Sequence, residues 1–311
     1  MAEMKDTSSK PSPVDRLKAI EKQAIKKARK TPAVPSPQMS LALWPDSVRG
    51  VPNAVLRGSL FTVSKTREAF KKRELLAAVD GIEVRFMGIR FNQTDLDVWE
   101  MLLHLARLQP LGNQVAFHAH AFLKALGRKT GGKDHEQLKE EIARLQSGTV
   151  EVTWTKNGKT FGGSLVSEYY RDEETQRYVV VFSTKMLSLY EGGYSHINWE
   201  QRAALGNNSL AKWLHGFYAT HAAPLPYKVE TLKTLCGSTT KALWEFRRML
   251  KNALAELVEV GAIKDWEISW DDLVRIENKP SLSQIKHINK ASAPTRRNRS
   301  KTSAGLKKAP I

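Results

Sequence analysis

The stretch ETLKTLCGSTTKALWEFRRMLKNALAELVEVGAIKDWEISWDDLVRIE, residues 230–277, contains the order of elements on which the fold prediction rests. A short helical segment ends at Gly237, and a longer segment with apolar residues at helical spacing starts at Ser238. Two strand-like runs follow, joined by two acidic residues. Two helices joined by a Gly-containing turn and followed by a β-hairpin, the wing, are typical of a winged helix-turn-helix.

A second copy of this order precedes it in the chain. Residues 94–109 predict a helix with Thr94 as N-cap, and QVAFH (114–118) predicts a short strand. AFLKALG predicts a short helix ended by Gly127, and a longer helix over 134–146 and an Asn-Gly hairpin complete the copy. The sequence therefore predicts an α+β fold, a tandem winged-helix protein with two helix-turn-helix domains and β-wings, flanked by disordered basic tails.

Length and composition suggest where these domains begin and end. The 311 residues suit two domains plus tails, and Ser, Lys and Pro dominate both ends, which is typical of disorder. We expect a disordered basic arm over 1–40, a first winged-helix domain over 41–195, a second over 196–279 and a disordered basic tail over 280–311.

The net charge of +17 lies mainly at the two ends of the chain. Residues 1–50 hold ten Lys or Arg and five Asp or Glu, and residues 280–311 hold eight Lys or Arg and no acid, so the ends contribute +13. Such clusters attract nucleic acid through Coulomb attraction and counterion release, although they also simply increase solubility. No apolar run approaches the roughly 18–20 residues that cross a bilayer. The single cysteine, Cys236, excludes a disulfide framework and a cysteine-rich zinc site. We expect a cytoplasmic protein that binds nucleic acid and no membrane.

The helix that starts at Ser238 is expected to read DNA. In a helix-turn-helix the second helix lies in the major groove, and its N-terminal residues reach base edges. Basic residues fall off its apolar stripe, and hydroxyls at its start suit phosphate contacts, although a solvated basic face of an ordinary amphipathic helix has the same pattern. The predicted DNA-binding residues of the second domain are Ser238, Thr239, Thr240, Lys241, Trp244, Arg247, Arg248 and Lys251.

The corresponding helix of the first domain carries more acid. Residues 133–146 hold three Lys or Arg against four Asp or Glu. Acid in the middle of the helix would repel phosphate, so we expect DNA contacts from the preceding turn and from the wing. These predicted residues are Arg128, Lys129, Thr130, Lys133, Lys156 and Lys159. We therefore predict unequal roles, with base reading by the second domain and backbone contacts or self-association by the first.

A histidine pair and a tyrosine pair leave a metal-dependent rolling-circle nickase open as an alternative. His118 and His120 would share one strand face and bind a metal, and Tyr169 or Tyr170 would attack DNA. A helix predicted from Ala121 instead places the histidines at a strand-to-helix junction, and we expect one tyrosine to be buried and the other exposed. We therefore predict no enzyme, no catalytic residue, no metal and no cofactor.

The segment GRKTGGKD (127–134) is similar to a nucleotide-binding P-loop but departs from it. Asp134 stands where a Ser or Thr would hold magnesium. A helix rather than a strand is predicted before the segment. The sequence therefore does not favour nucleotide binding.

Two further blocks carry a family resemblance. LWPDSVRGVPNAVLRGSLFTVSK (43–65) and YKVETLKTLCGS (227–238), with the element order around them, resemble TrfA-type plasmid replication initiators over about residues 41–277. The resemblance implies a tandem winged-helix initiator that binds direct repeats, called iterons, in double-stranded origin DNA as a monomer. The residues carried over are Ser238, Thr239, Thr240 and Lys241, whereas the pair His118 and His120 is not part of the family pattern.

The resemblance also implies partners. Such an initiator helps to melt an adjacent AT-rich stretch, which exposes single-stranded origin DNA, and recruits host replication proteins, including the helicase-loading machinery. A monomer–dimer equilibrium is implied, in which dimers are usually inactive in replication. A winged-helix transcriptional repressor stays open as an alternative, because one fold serves many functions.

A proline-flanked segment before the first domain contains a candidate partner peptide. Residues 38–43, QMSLAL, resemble the bacterial sliding-clamp peptide, Gln-Leu-Ser/Asp-Leu with a further apolar residue. Gln38 would supply amide hydrogen bonds, while Met39, Leu41 and Leu43 would fill an apolar cleft. We predict clamp binding by this segment; packing at the domain edge is the alternative. The neighbouring Trp44 is expected to pack on the first domain.

Overall fold

A computed structural model of the chain describes residues 44–79, 81–108 and 113–279, which form a mixed α+β fold. The arm 1–40, the clamp-peptide candidate 38–43 and the tail 280–311 lie outside the described residues. Within the described ranges, no helix is both long and apolar enough to cross a membrane.

The elements of the described ranges follow one another in short alternation. The strands are β1 (Val48–Pro52), β2 (Phe61–Thr62), β3 (Ala69–Leu76), β4 (Ile82–Ile89), β5 (Phe91–Asn92), β6 (Gln114–His118), β7 (Thr149–Trp154), β8 (Lys159–Gly163), β9 (Glu168–Asp172), β10 (Arg177–Val181), β11 (Tyr194–Asn198), β12 (Tyr227–Lys228), β13 (Ile263–Ile268) and β14 (Leu273–Asn278). The helices are α1 (Asn53–Leu56), α2 (Gln93–Ala106), α3 (Ala119–Ala125), α4 (Gly132–Ser147), α5 (Ser188–Glu191), α6 (Trp199–Ala204), α7 (Ser209–Ala219), α8 (Val229–Leu235) and α9 (Leu243–Glu259), with a 3-10 turn at Thr184–Leu187.

The strands pair into small sheets rather than one large sheet. The order β3-β4-β7-β8 forms an antiparallel four-stranded sheet, and the orders β6-β10-β9 and β12-β14-β13 form antiparallel three-stranded sheets. Strand β1 pairs with β11 antiparallel, and β2 pairs with β5 in parallel.

Helix α2 is the central helix of the first half of the described chain. Its N-cap is Asn92, so the prediction of Thr94 as N-cap is wrong. The Asn92 side chain accepts from the N–H groups of Thr94 and Asp95, and the Asp95 carboxylate accepts from Asn92 N–H, which completes a capping box. The apolar stripe of this helix is buried and comprises Leu96, Trp99, Leu102, Leu103 and Ala106.

Trp44 packs against α2, as expected from the sequence. Its side chain is 4% exposed, and its indole Nε1 donates to His104 Nδ1 at 3.2 Å. The guanidinium of Arg107 donates from Nε to the Trp44 carbonyl at 3.2 Å. Trp44, the first residue that the structure describes, is therefore anchored near the C-terminal end of α2.

Helices α3 and α4, the first helix pair, are joined by a turn at Gly127. The φ of Gly127 is 71°, a left-handed conformation that glycine adopts without strain. Helix α4 covers the predicted helix 134–146 and buries Leu138, Ile142 and Leu145. The hairpin β7–β8 follows α4 and joins the four-stranded sheet.

Helices α8 and α9, the second helix pair, have the same arrangement. Their turn contains Gly237 with a φ of 65°, and the hairpin β13–β14 follows α9. Strand β12, which precedes α8, pairs with β14 and so links the hairpin to the helix pair. The core of this half contains the buried residues Trp213, Leu214, Phe217, Leu232, Phe246, Leu250, Leu254 and Leu257.

Helix α9 begins at Leu243, so the prediction that it begins at Ser238 is wrong. Residues 238–242 form a loop in which the Thr240 N–H donates to Ser238 Oγ at 3.3 Å. The hydroxyl of Thr239 lies 3.3 Å from that of Ser64 in the first half of the chain. Ser and Thr side chains that bond in this way compete with the hydrogen bonds of a helix.

The two halves are closely joined. Strand β11 pairs with β1 from Val48↔Asn198 to Pro52↔Tyr194, so the expected domain boundary after residue 195 falls inside a strand. Residues 62–63 also bind the turn of the second helix pair, because Thr62 Oγ1 donates to the Gly237 carbonyl at 2.6 Å. A Cβ on Gly237 would lie 2.7 Å from Thr62 Oγ1, so this approach requires glycine as well.

A buried ionic network also connects the halves. Arg202 on α6 has no exposed side-chain surface, and its Nε lies 2.8 Å from Asp97 Oδ1 and 3.1 Å from Glu100 Oε2 on α2. Lys212 Nζ on α7 lies 2.7 Å from Asp97 Oδ2. Burial raises the pKa of the Glu100 carboxyl to about 7, and the charge of Arg202 opposes that shift.

Candidate nucleic-acid interface

The exposed face of α9 and the loop before it are basic. Lys241, Arg248 and Lys251 are exposed, and the Trp244 side chain is 67% exposed, while the opposite face of the helix lies in the core. The structure thus brings together, on one surface, most of the residues predicted to bind DNA in this half.

The N-terminus of α9 is open to an anion. Its N-cap, Ala242, has no side chain that can bond the first-turn N–H groups. Unbonded N–H groups and the helix dipole favour a phosphate at such a helix end. Thr239 is exposed beside it, while Ser238 and Thr240 are half-buried and bond to each other.

Arg247 is held differently from the other basic residues of α9. Its Nε lies 2.8 Å from Asp272 Oδ1, and its Nη2 contacts the other carboxylate oxygen of the same residue. The pair is half-exposed on both sides. Arg247 therefore connects α9 to the loop of the hairpin β13–β14, which differs from the free base contact expected from the sequence.

Arg128, predicted to contact DNA from the first helix pair, instead points to a buried acid. Its Nη1 lies 2.6 Å from Glu141 Oε2, a carboxylate with no exposed surface, and its Nη2 donates to the Thr94 carbonyl at 3.2 Å. Burial raises the pKa of Glu141, and the charge of Arg128 opposes the shift. Arg128 therefore has a structural role: it attaches the turn before α4 to that helix.

The remaining predicted residues of the first half lie on the surface. Lys129, Lys133, Lys156 and Lys159 are exposed, and Thr130 is half-buried. Lys159 begins strand β8 of the first hairpin, and its Nζ lies 2.8 Å from Oε2 of Glu191 at the end of α5. The N-cap of α4, Gly131, supplies no side-chain bond to the first turn, although the Asp134 N–H donates to the Gly131 carbonyl at 3.0 Å.

Acidic residues on α4 are largely neutralised by neighbours. Glu141 pairs with Arg128, Glu140 Oε2 lies 3.3 Å from Arg144 Nη1, and Glu136 contacts Lys139. Arg144 also reaches the buried Asp95 at 3.1 Å. Of the four acids counted along this helix, only Glu141 is withdrawn from its surface, by burial against Arg128.

The histidine and tyrosine pairs do not share one strand face. His118 ends β6 and is the N-cap of α3, whereas His120 lies within α3, so the expected strand-to-helix junction is confirmed. Tyr169 and Tyr170 on β9 are 40% and 65% exposed, so the prediction of one buried tyrosine is wrong. Within the described ranges, no three His, Cys, Asp or Glu side chains are grouped as metal ligands.

Two other sequence features have structural explanations. Cys236 is buried and its Sγ donates to the Lys233 carbonyl at 3.3 Å; burial raises the pKa of this thiol to about 12. The P-loop-like segment follows helix α3 rather than a strand, as predicted.

Sequence reasoning did not identify the loop of the second hairpin as part of this surface. Trp270 is 98% exposed in that loop, and Asp272 is the partner of Arg247. The sequence does show an aromatic residue, Trp270, followed by two acids at the predicted hairpin turn. The sequence pattern could not show that this turn contacts α9, because Arg247 and Asp272 are 25 residues apart.

Structural comparison places the chain in a class of α+β proteins. Crystal structures of domains 2 and 3 of RctB match with TM-scores of 0.51 and 0.50 at 11% identity; they cover 75% and 73% of this chain and 99% and 98% of those structures. A similarity to Pi initiator protein in complex with iteron DNA has a TM-score of 0.43, too low to support an inference. The two RctB similarities indicate a shared fold.

Sequence comparison identifies the family. The family model described as TrfA protein matches residues 14–278, so the chain belongs to the TrfA family. A relative from Escherichia coli, plasmid replication initiator protein TrfA, is 27% identical over 244 residues. The match covers 75% of this chain but 63% of the relative, so the chain spans less than two thirds of that protein.

Proposed function

We propose that this protein is a tandem winged-helix initiator of plasmid replication that binds direct repeats in origin DNA. The observation that carries the proposal is the basic, exposed face of α9, which begins at an uncapped N-terminus and belongs to a helix pair followed by a hairpin. Membership of the TrfA family supports the replication role.

The two helix pairs have different tasks in this proposal. The second pair reads bases through Trp244, Arg248 and Lys251, while Ser238, Thr239, Thr240 and Lys241 in the loop before α9 contact phosphates. The first pair contacts the DNA backbone through Lys129, Thr130, Lys133, Lys156 and Lys159. Domains near 41–195 and 196–279 remain our division of the chain, although β11 belongs to a sheet with β1.

Further partners belong to the same proposal. The bound protein opens adjacent AT-rich DNA, contacts the exposed single strand, recruits the host helicase-loading machinery in the cytoplasm and exists as monomers and dimers. Residues 38–43 bind the sliding clamp. Substituting Gln38→Ala and Leu41→Ala together should abolish clamp pulldown while leaving DNA binding intact, and an unchanged pulldown excludes this peptide as the clamp site.

The central experiment measures binding of the full chain to labelled fragments of the parent plasmid. We expect preference for a fragment with several direct repeats spaced near whole helical turns. The double substitution Arg248→Ala and Lys251→Ala should remove the preference, while the double substitution Lys71→Ala and Lys72→Ala, of two exposed lysines on β3 outside the predicted DNA contacts, serves as a matched control. Binding only to an inverted repeat in a promoter would instead support the repressor.

A further inference from the structure

The second hairpin ends in a tryptophan that contributes nothing to the core. Trp270 lies in the loop between β13 and β14 and is 98% exposed, more than the other exposed large apolar residues of the described ranges. Tryptophan is usually highly buried in folded proteins. Exposed aromatic side chains are enriched where a protein contacts a partner.

The loop that carries Trp270 is held in a defined shape. Ser269 N–H donates to the Leu273 carbonyl at 3.0 Å, and Asp272 N–H donates to the Ser269 carbonyl at 3.1 Å. The Ser269 hydroxyl lies 2.6 Å from Asp271 Oδ1. Asp272 has a φ of 63°, uncommon for a residue other than glycine. A loop ordered before binding loses little conformational entropy when a ligand arrives.

Contacts with the second helix pair fix where this tip lies. Asp272 pairs with Arg247 on α9, and its carbonyl accepts from Val229 N–H at 2.9 Å at the start of α8. Arg247 precedes Arg248 and lies one helical turn from Lys251, so the tip is attached beside the basic face of α9. The tip is therefore continuous with the DNA surface proposed above.

The charges at the tip permit contact with DNA despite two acids. Asp272 is paired with Arg247. The hydrogen bond from Ser269 lowers the pKa of the Asp271 carboxyl, and the nearby charges of Arg275 and Lys228 lower it further. Each carboxylate thus has positive charge close to it, which reduces its repulsion of phosphates.

We propose that Trp270 enters the minor groove beside the groove occupied by α9 and inserts its indole at a base step of the duplex. The ligand of Trp270 is the face of a nucleobase. This inference rests on the proposed function. Apolar side chains inserted in this way unstack a step and kink the duplex. Pyrimidine–purine steps kink most easily, so Trp270 gives sequence preference at a step that accepts no hydrogen bond from the protein.

The test uses the full chain and a duplex with the origin repeats, labelled at both ends to measure bending. Trp270→Ala should weaken binding about tenfold or more, in line with the loss of one stacked aromatic contact. It should also reduce the bend without changing the slope of log Kd against log salt, because no charge is removed. Trp270→Phe should restore most of the binding and bending. Leu75→Ala, which removes another exposed apolar side chain, on strand β3, should change neither.

Several results would overturn the inference. Unchanged binding and bending by Trp270→Ala rule it out, as does a loss confined to single-stranded DNA. Intact binding and bending combined with failed plasmid replication in cells would mean that Trp270 contacts a protein instead. If the unsubstituted chain shows no preference for the repeats, the proposed function itself fails; if it prefers and bends them regardless of Trp270, only this inference fails.

Discussion

The two helix pairs share a backbone arrangement but use their arginines in opposite ways. In the first pair, Arg128 and Arg144 point inward to the buried carboxylates of Glu141 and Asp95. In the second pair, the exposed face of α9 keeps Arg248 and other basic residues available at the surface. A helix pair followed by a hairpin therefore does not by itself define a role. The role depends on whether each charge has a partner inside the fold.

The hairpins differ as well. Strands β7 and β8 form part of a four-stranded sheet; their turn carries Lys156, and β8 begins with Lys159. The hairpin β13–β14 is attached to α9 by the pair Arg247–Asp272 and presents Trp270. In the proposed function the first half therefore contacts phosphates, and the second recognises bases and DNA shape.

The largest expected effect concerns the network that joins the halves. Arg202→Ala should lower the free energy of unfolding by about 3–5 kcal/mol, because it leaves Asp97 and Glu100 buried without their arginine. Urea unfolding measures the change. Lys212→Ala is the matched control, since it removes one partner of Asp97 but retains Arg202. A loss below about 1 kcal/mol for Arg202→Ala would show that the network does not hold the halves together.

The next effect compares one arginine from each helix pair. Arg128→Ala should destabilise the fold by about 3 kcal/mol, since Glu141 is left buried and unpaired. Arg247→Ala should destabilise the fold much less than Arg128→Ala, because its pair with Asp272 is half-exposed and screened by solvent. Thermal and urea unfolding of both variants measure the difference. Equal losses would contradict the assignment of Arg128 to the interior.

A smaller effect separates the two helix pairs on DNA. Arg248→Ala should weaken binding to the repeats by about 1–3 kcal/mol and relax the preference at one position. Lys133→Ala should weaken binding to all sequences alike and reduce the salt slope by about one. Titrations of repeat and scrambled duplexes at several salt concentrations measure both. If Lys133→Ala reduces discrimination more than Arg248→Ala, the division of labour is wrong.

The smallest predicted effect is a loss of stability at low pH, to which one buried histidine in each half should contribute about equally. Burial lowers the pKa of His104 to about 4, helped by the charges of Arg49 and Arg107, and lowers the pKa of His215 to about 3. Each unfolded histidine titrates near pH 6.5, so acid protonates the unfolded chain first and stability falls as pH drops below that value. At pH 5.5 we expect a loss of about 1 kcal/mol for each histidine relative to neutral pH.

Single-histidine variants test this expectation. His104→Asn and His215→Asn should each flatten the dependence of unfolding free energy on pH between 5.5 and 7.5, measured by urea unfolding. The pH profiles of the variants and of the unsubstituted chain are compared with each other, because Glu100 also titrates in the folded chain. Its raised pKa favours its protonated form in the fold, so its contribution to stability changes with pH in the opposite direction. An unchanged pH profile in both variants would show that neither histidine is buried in its neutral form.

The order of the two helix pairs and their hairpins was predictable from the sequence because it depends on local signals, whereas the strands β1 to β5 of residues 48–92 were not predicted. Apolar periodicity placed α2, α4 and α9, and Gly127 and Gly237 marked the turns where the backbone needs positive φ. The start of α9 was not predictable from periodicity, because the loop before it is held by a local bond between Ser238 and Thr240 and by the contact of Thr239 with Ser64, which lies far away in sequence.

The sequence by itself determined where the helix pairs and their hairpins form, where positive charge accumulates and which residues are candidates for contact with DNA. Only the tertiary structure decided which charges are free. Arg128 and Arg247 are both arginines near a helix start, but Glu141 and Asp272 occupy them across the fold. The physical reason is that composition and periodicity describe neighbours along the chain, whereas an ion pair depends on distances between elements that only folding brings together.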